Sequence, residues 1–129
     1  LYNFPKNKFV ANFIGDANDV TAEIIQKQSN TYSLKLAEMN IKIESNRDLN
    51  DKVSLALRPE KIIIERTDNS NCIHAKIKSA SFVGSSYQYI LNSKIGELYV
   101  VSGDTNDIFK VGEEVFLSIN EKDIKILND

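Results

Sequence analysis

From Val20 to the C-terminus, apolar and polar residues alternate along the chain. Val20, Ala22 and Ile24 are separated by polar residues, and the same spacing returns in one short run after another. A period of two places successive apolar side chains on one face of a β-strand. The pattern predicts strands within residues 20–24, 32–36, 39–43, 53–57, 61–65, 73–81, 87–91, 98–102, 114–119 and 124–127.

Turn residues separate these predicted strands at intervals of about ten residues. Examples are Ser29-Asn30, Gly84-Ser85 and Val111-Gly112. Many short strands with little helix between them are typical of an all-β fold. A segment of this size suits an OB-like Greek-key β barrel, closed or nearly closed.

The residues before Gly15 follow a different period. Four large apolar side chains have the spacing that forms one stripe on a helix, namely Phe9, Val10, Phe13 and Ile14. Pro5 suits the first helical turn, and Gly15 suits the position just past the end. The sequence therefore predicts a short N-terminal helix, with residues 1–18 forming the helix and a linker and residues 19–129 forming the β-barrel domain.

The apolar stripe of this helix needs a partner surface, because a helix of about ten residues is marginal in water. Two interpretations stay open. The stripe packs on the core of this domain, or it belongs to a neighbouring domain that precedes Leu1. In the chain as it stands we expect burial against a second copy, giving a homodimer, with folding back onto the barrel as the alternative.

Composition and charge exclude several classes of protein. The chain has 129 residues, of which 42% are hydrophobic and 26% are charged, as is usual for one globular domain. The net charge of −2 gives no global attraction for nucleic acid or anionic lipid. Apolar runs such as Ile62 to Ile64 are far shorter than the roughly twenty residues of a membrane-spanning helix. The single cysteine, Cys72, excludes an internal disulfide.

Sequence signatures of catalysis are missing. No glycine-rich loop precedes a Lys-Ser/Thr pair, so the phosphate-binding loop of nucleotide hydrolases is absent. The one histidine, His74, alternates with apolar neighbours and is predicted on a solvated outer face, with a partner contact as the alternative. Cys72 has no second cysteine for a zinc or redox pair and is predicted to be a small buried or half-buried filler. We expect no catalytic, cofactor-binding or metal-binding residue in this chain.

One acidic loop has some likeness to a calcium site. Asp104, Asn106 and Asp107 provide the carboxylate and amide oxygens that are typical of such a loop. Phe109 occupies the position of the tight glycine, however, and Val115 that of the bidentate glutamate. The loop is therefore predicted to be a polar turn.

Three tyrosines raise the question of nucleic-acid binding, since OB barrels stack bases on exposed aromatic side chains. Tyr87 and Tyr89 are two residues apart and share a face, so an outward face would permit stacking, to which Tyr99 could contribute. The negative net charge, the scarcity of arginine and the lack of a basic stripe argue against it. No nucleic-acid partner is expected.

Four segments carry a resemblance to a known family. Leu1-Tyr2 and Pro5 to Gly15 resemble a LYxxPxNxFVAxFIG segment. Leu55 to Ile62 resembles a block centred on Arg-Pro-Glu, Ala80 to Ser85 an FLG-type turn, and Val111 to Val115 a closing VGxxV strand. In this order they are similar to the end of the ATP-binding domain and the C-terminal TOBE domain of importer ATPases in the maltose, polyamine and ferric-ion transporter group.

The run ALRPEKI at residues 56–62 is most similar to the spermidine/putrescine branch. The resemblance implies a TOBE-type barrel that is the regulatory and dimerisation domain of the ATP-binding subunit of a bacterial ABC importer. The parent chain would bind ATP and Mg in a domain not contained here and would meet membrane permease subunits at the cytoplasmic face of the membrane. Two rival functions stay open: a TOBE module that senses a small solute or anion, and, less favoured, an OB-fold binder of single-stranded nucleic acid.

Within this resemblance, the candidate site residues are Arg58, Pro59, Glu60 and Gly84. Pro59 favours an extended backbone at Arg58 and presets a turn, so Arg58 and Glu60 project from a strand end. They are predicted to form a local hydrogen-bonded corner or to contact another domain. Gly84 is predicted to supply a backbone conformation that a side chain would resist, at the turn or bulge after Phe82.

Overall fold

The computed structural model describes residues 18–127, and β-strands make up most of them. The strands are β1 Asn18–Gln28, β2 Thr31–Leu36, β3 Met39–Glu44, β4 Lys52–Leu57, β5 Ile63–Glu65, β6 Ile73–Phe82, β7 Tyr87–Ser93, β8 Gly96–Ser102, β9 Glu114–Ser118 and β10 Ile124–Ile126. The helical elements between residues 18 and 127 are two 3₁₀ turns, Pro59–Lys61 and Glu121–Asp123. Neither these turns nor any other described helix has the length and apolarity to cross a membrane.

The strands form two five-stranded antiparallel sheets. The first sheet has the order β10-β4-β1-β2-β3, and the second has the order β5-β9-β6-β7-β8. β4 returns to lie beside β1, and β9 returns to lie beside β6, so each sheet contains a crossover connection. The prediction of an all-β, OB-like fold is confirmed. The predicted N-terminal helix and its stripe (Phe9, Val10, Phe13 and Ile14) lie outside the described residues.

The alternating pattern builds one hydrophobic core between the sheets. In β3, for example, Met39, Ile41 and Ile43 are buried while the residues between them are exposed. All ten predicted strands are present. The strand predicted at 61–65 begins only at Ile63, because Pro59 opens a 3₁₀ turn that ends at Lys61. The largest fully buried side chains are Tyr32, Tyr89, Leu34, Leu36, Met39, Leu55, Leu57, Ile77, Leu91, Leu98, Leu117 and Val100.

A bulge in β6 determines what lies at the tip of the β6–β7 hairpin. The register with β7 shifts between Ile77 and Ser79, and beyond it Phe82 pairs with Tyr87. An extra residue in one strand moves the following side chains to the other face. Phe82 therefore lies on the core side of the sheet but beyond the core, where 57% of its surface is exposed.

Side chains cover the open edge of β3. Asn71 accepts from the backbone N–H of Asn40 at 2.8 Å and donates to the Asn40 carbonyl at 3.0 Å. The carboxylate of Glu121 accepts from the backbone N–H of Lys42 at 2.9 Å. Unpaired edge groups are a template for pairing with another chain, so this arrangement protects the first sheet from edge-to-edge association.

Candidate interdomain surface

The first described residue, Asn18, is held by its buried side-chain amide. Asn18 is only 4% exposed, and its side chain bridges the two sheets. Its Nδ2 donates to the Leu57 carbonyl at 3.1 Å and to the Tyr99 carbonyl at 2.8 Å, and its Oδ1 accepts from the Tyr99 N–H at 2.7 Å. The amide thus pairs with Tyr99 as a strand residue would. The sequence placed residue 18 at the end of the predicted linker, and in the structure Asn18 lies in β1, opposite Leu57.

The Arg-Pro-Glu segment lies directly beside Asn18, since Arg58 follows Leu57. Arg58 is extended, with φ −72° and ψ 132°, and Pro59 is buried at the first position of the 3₁₀ turn. The N–H of Lys61 donates to the Arg58 carbonyl at 3.0 Å. Backbone geometry and the buried Pro59 ring therefore define this corner.

The charged side chains of the corner point into solvent. The side chain of Arg58 is 66% exposed and that of Glu60 is 49% exposed, with 3.6 Å between Arg58 Nη1 and Glu60 Oε2. At this distance the two groups form a loose ion pair rather than a hydrogen bond.

Replacement of Arg58 by alanine should leave the stability of the domain nearly unchanged. An exposed ion pair contributes about 0 to 1 kcal/mol, so we expect the free energy of unfolding to fall by less than about 0.5 kcal/mol. Urea unfolding followed by far-ultraviolet circular dichroism measures this change. A loss of about 2 kcal/mol would instead show that the guanidinium holds the corner together.

A basic groove adjoins the corner. It has a volume of about 320 Å³, and its lining residues are Ala56, Arg58, Lys61, Lys122, Asp123, Ile124 and Lys125. The lining residues include four cationic residues and one acidic residue, and Glu60, which pairs with Arg58, lies beside them, in a chain whose net charge is −2. The local charge is therefore suited to an acidic surface on a partner domain.

Gly84 lies in the turn at the tip of the β6–β7 hairpin. Its φ is +97°, a left-handed conformation that side chains resist, and a Cβ atom at this position would meet nothing within 4 Å. The turn is closed by a hydrogen bond of 2.9 Å from the Val83 N–H to the Ser86 carbonyl. Backbone conformation, rather than lack of space, accounts for the glycine.

Arg66 follows β5, an edge strand of the second sheet, and binds the loop that precedes β9. Its Nη1 contacts Asp107 Oδ1 at 2.6 Å, its Nε contacts Glu113 Oε2 at 2.7 Å, and its Nη2 donates to the Ile108 carbonyl at 2.9 Å. The guanidinium carbon also lies 4.2 Å from the centre of the Phe109 ring. Arg66 therefore fixes this loop to the end of β5.

Acid should weaken the Arg66 cluster. The hydrogen bond from the Lys110 N–H, followed by that from Arg66, lowers the pKa of Glu113 although burial opposes this. A carboxylate with a lowered folded-state pKa stabilises the protein above its unfolded pKa of about 4.3, and the contribution is lost as pH falls through the folded value. We expect the free energy of unfolding of Glu113→Gln to fall less steeply below about pH 4.3 than that of the unaltered chain.

Urea titrations at several pH values test this expectation. The other carboxylates are common to both proteins, so the difference between the two pH profiles isolates Glu113. Parallel profiles would show that ionisation of Glu113 does not stabilise the fold.

His74 and Cys72 lie where the sequence placed them. His74 lies on the outer face as predicted, half-exposed, with Nε2 3.5 Å from Asp68 Oδ2 and its ring edge-on to Phe116. Cys72 is buried as predicted, and its Sγ donates to Asn69 Oδ1 at 2.8 Å.

The tyrosines do not form a stacking platform for bases. Tyr89 is fully buried, and its ring stacks against Tyr87 with 5.9 Å between the ring centres. Its hydroxyl accepts from the backbone N–H of Phe109 at 3.1 Å, and burial raises the pKa of Tyr89. Tyr87 and Tyr89 share a face, as the sequence indicated, and that face points toward the core, so the condition for stacking on an outward face is not met. Tyr99 lies on the other face of the sheet, where its backbone pairs with Asn18.

The acidic loop forms local turns. The Asp104 carboxylate accepts from the Asn106 N–H at 3.1 Å, and Asp107 pairs with Arg66. Within residues 18–127, no group of three His, Cys, Asp or Glu side chains is placed to hold a metal ion.

Sequence reasoning missed Asn18 and Arg66. The partners of Asn18 include Tyr99, 81 residues away, and those of Arg66 include Glu113, 47 residues away. Nothing in the local pattern marks either residue. Asparagine is typical of turns rather than of strands, so the residue type at position 18 gave no signal of a buried bridge.

Comparison with known proteins gives one family and a consistent set of relatives. Residues 55–127 match the family description "TOBE domain". The spermidine/putrescine import ATP-binding protein PotA of Mesomycoplasma hyopneumoniae is 32% identical over 128 residues, covering 98% of this chain and 27% of the relative. The Fe(3+) ions import ATP-binding protein FbpC of Agrobacterium fabrum is 22% identical over 128 residues, covering 99% of this chain and 36% of the relative. The chain thus spans about a third of the length of these curated relatives.

A solved structure shares the fold. The cytoplasmic molybdate-binding protein ModG, in a crystal form with molybdate bound, superposes with a TM-score of 0.67. The match covers 84% of this chain and 94% of that one at 8% sequence identity. At this identity the likeness concerns the fold alone.

Proposed function

Because the chain belongs to the TOBE domain family, as the match over residues 55–127 shows, we propose that it is the C-terminal regulatory and dimerisation domain of the ATP-binding subunit of a bacterial ABC importer. One observation carries this proposal. The similarity to importer ATP-binding proteins runs over 98% to 100% of the chain and so includes residues before Asn18. Those relatives are about three times as long, which leaves room for the domain that binds ATP and Mg.

Polyamines are the proposed cargo. Support comes from the relatives named for spermidine and putrescine, which reach 32% identity, against 20% to 25% for those named for Fe(3+) ions. The ALRPEKI run at residues 56–62 agrees with this choice. Uptake of labelled spermidine by the parent transporter, competed with putrescine or with ferric ion, tests it. Competition by ferric ion alone would reject the polyamine assignment.

The corner at Arg58 and Glu60 is the proposed contact with the ATP-binding domain. That domain would precede Leu1 in the parent chain, and the chain enters the described domain at Asn18, whose amide is bonded to the Leu57 carbonyl. Arg58 and the basic groove therefore lie where the chain arrives from the preceding domain. The domain would thus act by positioning two ATP-binding domains in a homodimer, beneath permease subunits at the cytoplasmic face of the membrane, without binding nucleotide itself.

Charge reversal in the parent subunit tests this role. We expect Arg58→Glu combined with Lys61→Glu to lower spermidine uptake several-fold in vesicles, because both changes oppose an acidic partner surface. Lys35→Glu, an exposed lysine on β2, is the matched control and should leave uptake unchanged. Equal uptake by the unaltered subunit, the Arg58→Glu/Lys61→Glu variant and the Lys35→Glu variant would reject the corner as a functional contact.

A thermal-shift assay distinguishes the ligand-sensing alternative. A ligand present at 100 times its dissociation constant would stabilise the domain by about 2.7 kcal/mol. The proposed function predicts no shift with spermidine or molybdate. A clear shift with either would make the domain a sensor.

A further inference from the structure

The second half of β6 has one side without a partner strand. Its pairing with β9 ends at Lys76, and the carbonyl of the next residue, Ile77, accepts from the Gly112 N–H at 2.8 Å. Beyond Ile77, no strand within residues 18–127 lies on this side of β6, and the pairing continues with β7 on the other side. Residues 79–82 therefore form an edge of the second sheet, which we call the free edge.

The direction of the backbone groups along the free edge follows from the hairpin turn. The Val83 N–H donates to the Ser86 carbonyl at 2.9 Å, so Val83 directs its backbone groups toward β7. The register with β7 continues without a shift through residues 79–82. Successive residues of an antiparallel strand direct their N–H and C=O groups to opposite sides. Ala80 and Phe82 therefore present both groups at the free edge.

The free edge lacks the protection that other edges of this domain have. Asn71 and Glu121 bond to the edge of β3, Asn18 bonds to the edge of β8, and β5 and β10 are only three residues long. Charged side chains and proline also blunt strand edges. Residues 79–93 contain neither, although 26% of the chain is charged. The free edge is thus a neutral template for another strand.

Exposed apolar side chains mark both ends of the free edge. At the hairpin tip, Phe82 is 57% exposed and Val83 is 45% exposed. At the other end, Val111 is 65% exposed and precedes Gly112, which bonds to the Ile77 carbonyl. Apolar side chains beside unpaired backbone groups are typical of a surface that a partner covers.

We propose that a second copy of this chain pairs with the free edge, antiparallel, across a two-fold axis at Ser81. In this register Ala80 of one copy and the partner's Phe82 exchange both backbone hydrogen bonds. Residues directly opposite share a face, so the ring of each Phe82 covers the small Ala80 of the other copy. The same axis brings each hairpin tip toward the Val111 end of the other free edge.

Self-complementarity is the reason for choosing a second copy as the occupant. A two-fold contact must match one surface with itself. Here the donors and acceptors of Ala80 and Phe82 match by symmetry, and a large side chain lies opposite a small one. Ser81 at the axis lies opposite its own copy, and no charge within residues 79–83 opposes this approach.

This inference rests on the proposed function and deepens it by naming the surface on which two copies meet. One short strand pair buries less than the roughly 1,200 Å² of a stable interface, so the contact is weak in the isolated chain. Two ATP-binding domains in one complex would raise the effective concentration of their TOBE domains to about the millimolar range. The free edges would then pair in the importer.

Sedimentation equilibrium of the 129-residue chain tests the contact. We expect a monomer at about 10 μM and a substantial fraction of dimer at about 1 mM. Phe82→Ser should raise the dimer dissociation constant about 10-fold or more, because the ring supplies the main apolar contact. The circular dichroism of the monomer should be retained, since Phe82 is more than half exposed.

Charged substitutions at Ser81 test the two-fold axis. Ser81 is exposed, and Ser81→Lys or Ser81→Glu would place like charges directly opposite each other in the dimer. Each variant should raise the dissociation constant about 5-fold, whereas an equimolar mixture of the two should regain dimerisation as a heterodimer. Asn92→Lys and Asn92→Glu, at an exposed position on β7, are the matched controls and should leave the constant unchanged.

Hydrogen exchange locates the contact within the strand. The amides of Ala80 and Phe82 should exchange rapidly at about 10 μM and become protected at about 1 mM. The amides of Ser81 and Val83, which face β7, should be protected at both concentrations.

Three results would overturn the proposal: a monomer at about 1 mM, a dimer that the Ser81 variants do not weaken, or a mixture of those variants that dimerises no better than either alone. Any of them would leave the assignment to an importer subunit intact, because spermidine uptake by the parent transporter tests that assignment separately.

Discussion

Replacement of Asn18 by leucine should lower the free energy of unfolding by about 2 to 5 kcal/mol. The change removes three hydrogen bonds and leaves the Leu57 carbonyl and both backbone groups of Tyr99 without this partner. A buried polar group that loses its partner costs about 1 to 3 kcal/mol, and leucine cannot restore any of the bonds. The loss should be large because Asn18 joins the first sheet to the second.

Urea denaturation measures this loss. Asn92→Leu is the matched control, since Asn92 is exposed on β7, and its effect should stay within about 0.5 kcal/mol. Asn18→Asp should also destabilise the domain, because the amide donors to two carbonyls would be replaced by carboxylate oxygens. A decrease below about 1 kcal/mol for Asn18→Leu would mean that the bridge between the sheets contributes little.

Replacement of Tyr89 by alanine should cost about 3 to 5 kcal/mol, as is usual for a fully buried aromatic ring. The ring stacks on Tyr87 and meets Phe109 edge-on, and it is one of the largest fully buried side chains of the core. Its loss would leave a cavity between the β6–β7 hairpin and the loop that Arg66 holds. The hairpin tip at Phe82 should become mobile as a result, because the Phe82 ring packs against Tyr87 with 5.2 Å between the ring centres.

Tyr89→Phe separates the ring from the hydroxyl. It retains the packing and removes only the acceptor for the buried Phe109 N–H, so a loss of about 1 to 2 kcal/mol is expected. Both variants are measured by thermal unfolding at the same pH. Equal losses for Phe and Ala would show that the hydroxyl, and not the ring, provides the stabilisation.

The strands could be predicted from the sequence because each carries its signal within five or six residues. Alternation at 39–44 determines which side chains face the core wherever the strand lies in the sheet. The same logic showed that Tyr87 and Tyr89 share a face. Leu91, two residues further on, belongs to that face and favours burial, a signal that points to the core orientation found in the structure.

The bridges and clusters could not be predicted, because their partners are distant in sequence. Asn18 meets Tyr99 and Arg66 meets Glu113 only after both sheets have formed. The backbone of Arg58, by contrast, could be predicted, because the extended conformation before Pro59 follows from local sterics. The direction of the Arg58 side chain could not, because it depends on the surface around the corner.

The β6 bulge is another feature that alternation alone does not reveal. Before it, Ile77 faces the core, and after it Ala80 and Phe82 do so on the opposite parity. A strict period of two would have placed Phe82 on the outer face. The exposed ring at the hairpin tip therefore belongs to the core side of the sheet, beside Tyr87.

The most direct test of the account is the identity of the whole polypeptide that carries this sequence in the cell. Capture of that polypeptide with an antibody against the TOBE domain, followed by peptide mass spectrometry, would identify it. We expect a chain about three times as long as this one, with a peptide upstream of Leu1 that contains the phosphate-binding pattern G-x-x-x-x-G-K-[ST]. A polypeptide whose N-terminus lies near Leu1, or one whose upstream part lacks this pattern, would contradict the assignment to an importer ATP-binding subunit.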